Sequence, residues 1–238
     1  MKMVIIITFI SISLCITGCG EDSWISDLFT LKSVKTVRDE NVEQLKKKAS
    51  EYEKELDEKL RSADSLSIVY QKLGEKYLDG KAWTSAIEAF KKSIGYGRNT
   101  SSVHYSLAVA YANRGSGLAN KDDIEKAEHH YKKALEISPD NYEASYGLGI
   151  LLFYRKQERK EAVKIMENIV QRKKDFYRAR FALGRFYYEL NKINKSLSIY
   201  ENIHYDLESK TDSPEVKKYK KESRRNIERL MLEISRKR

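Results

Sequence analysis

Proline and cysteine are almost missing, two of each in 238 residues, and glycine is sparse at 11. Strand-rich folds need frequent turn punctuation, so this shortage excludes an all-β sandwich or barrel. Two cysteines exclude a disulfide scaffold and a cysteine-rich zinc site. The histidines are only four, His104, His129, His130 and His204. His129 and His130 are adjacent, so their rings leave a helix on different sides, whereas helical zinc sites use i,i+4 spacing with a further ligand. Gly115 and Gly117 are followed by no Gly-Lys-Ser/Thr, which rules out a phosphate loop. A Gly-x-Ser-x-Gly elbow, a kinase motif set and a dinucleotide fingerprint are also missing, and the many carboxylates are spread without a marked pair. No metal, no cofactor and no enzymatic activity are expected. What remains is a chain 34% charged and 41% hydrophobic, rich in Lys, Glu, Leu, Ala and Ile, with 16 tyrosines. That composition favours helices, and the length suits one or two domains with a real core.

Residues 1–20 read MKMVIIITFISISLCITGCG. One cation, Lys2, precedes an uncharged apolar run ending near Thr17, and small residues follow. This is the order of a secretory signal, and the run is shorter than the roughly 20 residues that span a bilayer. Ile16-Thr17-Gly18-Cys19 resembles the lipobox of bacterial lipoproteins. By that resemblance residues 1–18 are a signal peptide cut before Cys19, Cys15 leaves with it, and Cys19 becomes the acylated N-terminus held in the membrane. Gly20, not Asp, follows Cys19, which leans toward an outer membrane where the cell has one. The implied place is the bacterial cell envelope. The whole chain carries a formal charge of +10. An exported protein rarely meets nucleic acid, so anionic headgroups or an acidic partner are the expected counterpart.

Beyond the signal a pattern recurs. Leu73, Leu107, Leu148 and Leu183 are spaced by 34, 41 and 35 residues, each followed by Gly or Ala. Four residues beyond each leucine stand Tyr77, Tyr111, Leu152 and Tyr187. Further on come the small/large/smaller sets Ala86/Phe90/Ser93, Ala127/Tyr131/Ala134, Ala162/Met166/Ile169 and Ser196/Tyr200/Ile203. From leucine to small residue the gaps are 13, 20, 14 and 13, so the basic period is 34, with seven extra residues in the second unit and one in the third. Three- and four-residue steps put each set on one helical face, and a small residue after the leucine lets two helices approach closely. The pattern resembles the tetratricopeptide repeat, a 34-residue helix–turn–helix. The resemblance implies an all-α, right-handed α-solenoid of four units, 67–100, 101–141, 142–176 and 177–210, within residues 67–212. Pro139 stands where the repeat usually ends; Arg98, Lys174 and Glu208 replace it elsewhere. The insert Arg114–Lys121 is expected to lengthen the turn of unit two, as a loop on the rim, with Asp122 and Asp123 opening the next helix.

Residues 19–35 read as a lipidated tether whose Trp24, Leu28 and Phe29 suit either the membrane interface or packing on the first repeat. Residues 36–66 read as a charged amphipathic helix with a narrow seam, Val42, Leu45, Ala49, Tyr52, Leu56 and Ala63, broken by Lys59. Docking on the first repeat, spacing and dimerisation all fit it; a monomer is the expected state. Residues 213–238 read as a capping helix opened by Ser213-Pro214-Glu215, with one apolar side to close the end of the solenoid. Ten cations against four anions over residues 215–238 make it basic. Lys217, Lys218, Lys220, Lys221, Arg224, Arg225 and Arg229 form a surface suited to anionic lipid or an acidic partner, or simply to solvent.

In tetratricopeptide proteins the first helices of successive units line a concave groove that holds a peptide or partner helix. Carried onto this chain, that lining includes Tyr105, Val109, Tyr146, Ile150, Phe153, Tyr154, Phe181, Arg185 and Tyr188. Aromatics and arginine are the types enriched at binding hot spots. Gln71 and Glu75 stand where a carboxylate clamp of the first unit would lie, so that clamp is not visible. The expected function is a lipid-anchored scaffold or adaptor that binds another envelope protein or peptide. A small-ligand-binding lipoprotein serving a transporter and a dimeric structural spacer are the alternatives.

Overall fold

The computed structural model describes residues 42–118 and 120–236. The signal peptide, Cys19 and the tether lie outside the described residues, as do the side chains of Val42 and Leu45. The chain divides into two units between Leu56 and Asp57. Among its described residues, the first unit consists of helix alone, with side chains that are almost all exposed, Tyr52 and Leu56 included.

Helix α1 (Val42–Asp79) is continuous. The charged helix and the first helix of the first repeat, separated at residue 66 in the sequence reading, are therefore one element. The stretch Ala63-Asp64-Ser65-Leu66-Ser67 contains no Gly or Pro to end a helix, and the chain turns only at Gly80. The second unit continues with α2 (Trp83–Gly95), α3 (Ser101–Leu118), α4 (Lys121–Ile137), α5 (Tyr142–Leu151), a π-helical turn (Leu152–Lys156), α6 (Arg159–Arg172), α7 (Tyr177–Glu189), α8 (Ile193–Glu208) and α9 (Pro214–Arg236). From α2 onward each helix packs on the next in sequence, and α1 meets α2 where Phe90 lies on Gly74 and the Ser93 hydroxyl donates to the Ser67 carbonyl, the arrangement of a right-handed α-solenoid of four helix–turn–helix units closed by a last helix. No strand occurs among the described residues.

The turn inside a unit is built alike in units one and four. The N–H of Ala82 donates to the Tyr77 carbonyl and that of Lys192 to the Tyr187 carbonyl, each at 2.8 Å. Lys81 and Asn191 adopt a left-handed conformation, φ 56° in both, to make this reversal. Unit three reverses through Gln157, φ 61°.

Both sequence insertions have a structural cause. The seven residues of unit two do not form a rim loop as expected. Instead α3 extends to Leu118 and α4 starts early at Lys121, so the hairpin is lengthened along both helices. Seven residues are close to two helical turns, so one turn added to each partner keeps both apolar faces in register. Asn120 caps α4, its side-chain oxygen accepting from the N–H groups of Asp122 and Asp123 at 3.0 and 3.4 Å. The single extra residue of unit three is taken up by the π-helical turn, which accommodates one residue without shifting the helix face.

The repeated positions pack as their spacing implies. A Cβ on Gly74 would meet the Phe90 ring at 2.6 Å, one on Gly149 would meet Met166 at 2.8 Å, and one on Gly184 would meet Tyr200 at 2.7 Å. In each of these units the large residue of the second helix rests on the backbone of the first. In unit two Ala108 takes the glycine position, and Tyr131 reaches Gly147 of the next unit. Leu107, Leu148 and Leu183 are 0%, 5% and 2% exposed, whereas Leu73 is 38% exposed. The first three are covered by a preceding unit, and among the described residues no repeat precedes that of Leu73. At the other end α9 buries Ser223 and Leu230 against a second cluster of Tyr177, Phe181, Tyr200, Ile203 and Leu207. Ser213 caps α9, accepting from the Val216 N–H at 3.2 Å.

Candidate functional site

The first helices of units three and four, with α9 following them, bound an open cleft of about 300 Å³. Tyr146 and Ile150 on α5 and Tyr154 on the π-helical turn are spaced by four and share one face. Helix α7 supplies Arg178, Phe181 and Arg185, and α9 supplies Lys218, Tyr219 and Glu222. Phe181 forms much of the floor, with ring centroids 5.5 Å from Tyr219 and 5.9 Å from Tyr200. Arg178 lies over the Tyr146 ring at 4.8 Å and pairs with Glu143 at 3.1 Å. The Tyr154 hydroxyl donates to Glu189 at 2.8 Å; burial and that carboxylate push its pKa up to about 12, so it remains a donor.

Of the nine groove residues named from sequence, Tyr146, Ile150, Tyr154, Phe181 and Arg185 line this cleft. Tyr105 and Val109, on α3, are half-buried against the main core and do not line it. Tyr188 lines a neighbouring cavity of about 270 Å³, under the guanidinium of Arg229 at 4.7 Å. Phe153 corrects the sequence reading. It is 1% exposed and stacks on Phe186 with centroids 3.8 Å apart, so it is core. The cause is the π-helical turn, which begins one residue before Phe153, in the stretch where the repeat spacing had been extrapolated.

Arg178, Lys218, Tyr219 and Glu222 were not named as groove residues. Arg178 lies seven residues before Arg185, hence on the same helical face, so the sequence held that signal. Lys218 was assigned to the basic tail; it faces the cleft because α9 occupies the place of a fifth first helix. The other cations named with it divide between two concavities. Arg225 and Arg229 join Arg185, Tyr188 and Glu222 in the smaller cavity, and Lys217, Lys220, Lys221, Arg224 and Arg225 line a shallow one of about 450 Å³. Lys220 pairs with Asp212 at 2.9 Å.

His104 and His130 are packed against each other between α3 and α4. The Nε2 of His104 lies 2.6 Å from the Asn99 side-chain oxygen, and its Nδ1 lies 3.0 Å from Nδ1 of His130. An Nε2–H donated to Asn99 leaves Nδ1 of His104 to accept from His130. His130 is sandwiched between His104 and Tyr111, with centroids at 5.1 and 5.7 Å. Burial, then the neighbouring His104 and His129, holds the His130 pKa down to about 4.

Residues 108–141 match the tetratricopeptide repeat family. Two solved structures share the architecture. A thermophilic tetratricopeptide-repeat protein of Thermus thermophilus aligns with a TM-score of 0.54 at 17% identity, over 65% of this chain and 79% of its own. The MamA protein aligns with a TM-score of 0.50 at 20% identity, over 72% of this chain and 93% of its own. The fold is that of tetratricopeptide-repeat proteins. Such proteins mediate protein–protein interactions and act as scaffolds. A TPR repeat-containing protein of Borreliella burgdorferi is 24% identical over 183 residues, 75% of this chain and 72% of its own. Photosystem I assembly protein Ycf3 of Acaryochloris marina is 36% identical over 55 residues, 23% of this chain, and the match spans 33% of that protein. In a tetratricopeptide solenoid the first helices form one continuous wall. The cleft between α5, α7 and α9 lies on that wall, and its lining is aromatic rings and cations.

Proposed function

We propose that this protein is a lipid-anchored adaptor of the bacterial cell envelope that holds another envelope protein or peptide in the cleft between α5, α7 and α9. The observation that carries this reading is the lining of the cleft: Tyr146, Tyr154 and Tyr219 around Phe181, with Arg178 and Arg185 beside them. Aromatics and arginine supply large contact area together with directed hydrogen bonds, which is why they dominate binding hot spots. The cleft is open to solvent, which suits a segment of another chain better than an enclosed small molecule. The anchor rests on the sequence Ile16-Thr17-Gly18-Cys19 after its apolar run.

In-cell crosslinking of the native protein beside a variant carrying Tyr146→Ser and Tyr219→Ser tests the cleft. One envelope protein captured by the native form and lost from the still-folded variant is the expected result. Capture that survives the substitutions moves binding away from the cleft. The anchor is tested by Cys19→Ala, which should abolish labelling by a fatty-acid analogue; label that persists removes the lipid from the proposal.

A further inference from the structure

The cleft and its smaller neighbour both have Arg185 and Glu222 in their lining, so the two lie side by side between α7 and α9. Their walls carry Arg178, Arg185, Lys218, Arg225 and Arg229, against two carboxylates, Glu189 and Glu222. Glu189 already accepts from the Tyr154 hydroxyl, and Arg178 already pairs with Glu143. Among the described residues, no ion pair is formed by Arg185, Lys218, Arg225 or Arg229. Four exposed cations thus line these two adjoining cavities without an acidic partner of their own, beside the rings of Phe181, Tyr219, Tyr188 and Tyr200.

We infer that the partner segment is acidic: a short extended peptide that lays carboxylates along these cations and sets an apolar side chain on Phe181. This rests on the adaptor reading of the same cleft and names its partner chemistry. From Lys218 to Arg229 the helix rises about 16 Å, the length of about five residues of extended chain. Arginine recognises a carboxylate through a planar fork of donors, and a row of such groups sets orientation and register as well as affinity. The aromatic floor supplies the apolar part of the contact, so a peptide of mixed acidic and aromatic character fits better than a purely acidic one.

Fluorescence anisotropy of the purified protein tests this with labelled hexapeptides. One is Asp-Glu-Phe-Glu-Asp-Glu; in a second the acidic residues are replaced by lysine, and in a third by serine and glutamine. The acidic peptide should bind at least about tenfold tighter than either counterpart, and its affinity should fall as salt is raised. Arg185→Glu with Lys218→Glu should weaken it by about tenfold or more, and the milder Arg185→Gln with Lys218→Gln by less. These side chains are exposed, so the fold should be kept, and the helical circular dichroism of each variant checks that. Equal binding of the neutral or basic peptide, lost on Tyr146→Ser, overturns the acidic partner and leaves the cleft reading standing. Failure of all three peptides overturns the acidic peptide, and the crosslinking of the Tyr146→Ser, Tyr219→Ser variant decides the cleft reading separately. Binding to phosphatidylglycerol vesicles that depends on Arg185 and Lys218, with no peptide bound, overturns the peptide in favour of an anionic membrane surface.

Discussion

Arg114 holds Asp123 through two parallel hydrogen bonds of 2.7 Å, and the Asp123 side chain is 1% exposed. This pair lies in the lengthened hairpin of unit two and joins the first residue of the insert, on α3, to the first turn of α4 just beyond it. An ionised carboxylate removed from water needs such a partner, and the bidentate guanidinium, by hydrogen bonding first and charge second, holds the Asp123 pKa below the usual carboxylate range. Asp123→Ala leaves Arg114 without its acceptor and should cost about 2–4 kcal/mol in urea denaturation. The double change with Arg114→Leu should cost less than the sum of the single changes. Additive losses would show that the pair does not couple the two helices.

The Tyr200 ring lies against the Gly184 backbone, where an added Cβ would stand 2.7 Å from Cζ. Alanine is the better helix former by about 1 kcal/mol, so the substitution has two opposed effects. Because Tyr200 is 3% exposed and packed between helices, overpacking should win, with a net loss of about 1–3 kcal/mol for Gly184→Ala. Tyr200→Leu in the same chain should recover part of it. A rise in melting temperature for Gly184→Ala alone would mean that α7 and α8 can part without cost.

The His104–His130 pair gives stability a defined pH dependence. His130 ordinarily titrates at 6.5, and in the fold its pKa is held down to about 4. Burial, followed by the charges of His129 and Lys133 and opposed by Glu136, also lowers that of His104. Between those limits the unfolded chain binds more protons than the folded one, so stability falls as pH falls. The contribution is fully present above pH 6.5 and is lost progressively toward pH 4. The unfolding free energy from urea denaturation across this window should decline by about 2–3 kcal/mol in the native protein. His130→Phe keeps the stack on Tyr111 while removing the titrating ring, and should flatten the slope. An unchanged slope would remove His130 as its source and assign the decline to other groups, His104 among them.

The repeat itself was legible because its packing is periodic. A leucine, a small residue and a large residue recur at fixed steps, and Phe90 on Gly74 repeats as Tyr200 on Gly184. The departures from the period were visible as counts but not as shapes. Seven extra residues fit a loop or a longer hairpin equally well in a sequence, and the choice depends on burying Asp123 against Arg114, a contact between residues that no repeat position predicts. Continuity of α1 was missed for a related reason: the repeat pattern marks where a unit starts but not whether the chain bends there. In the cleft, Arg185 and Phe181 followed from repeat positions. Lys218 and Tyr219 required knowing that α9 occupies the place of another first helix, so that one face of a basic tail becomes a wall of the site.

Phe153 and Tyr146 are only seven residues apart, yet they should fail in different assays. Phe153 is stacked at 3.8 Å on Phe186 and fully enclosed, so Phe153→Ala should remove about 3–5 kcal/mol of stability. Tyr146 lines the cleft and is half-buried beneath Arg178, so Tyr146→Ala should cost about 1 kcal/mol or less in denaturation while weakening partner binding. Urea denaturation and binding measured on both variants separate the two roles. A binding defect from Phe153→Ala carries weight only when the variant is shown to be folded, since loss of the core also removes the surface. If Tyr146→Ala proves as destabilising as Phe153→Ala, then Tyr146 is a support of the α5–α7 packing, and the wall of the binding site must be sought from Phe181 toward α9.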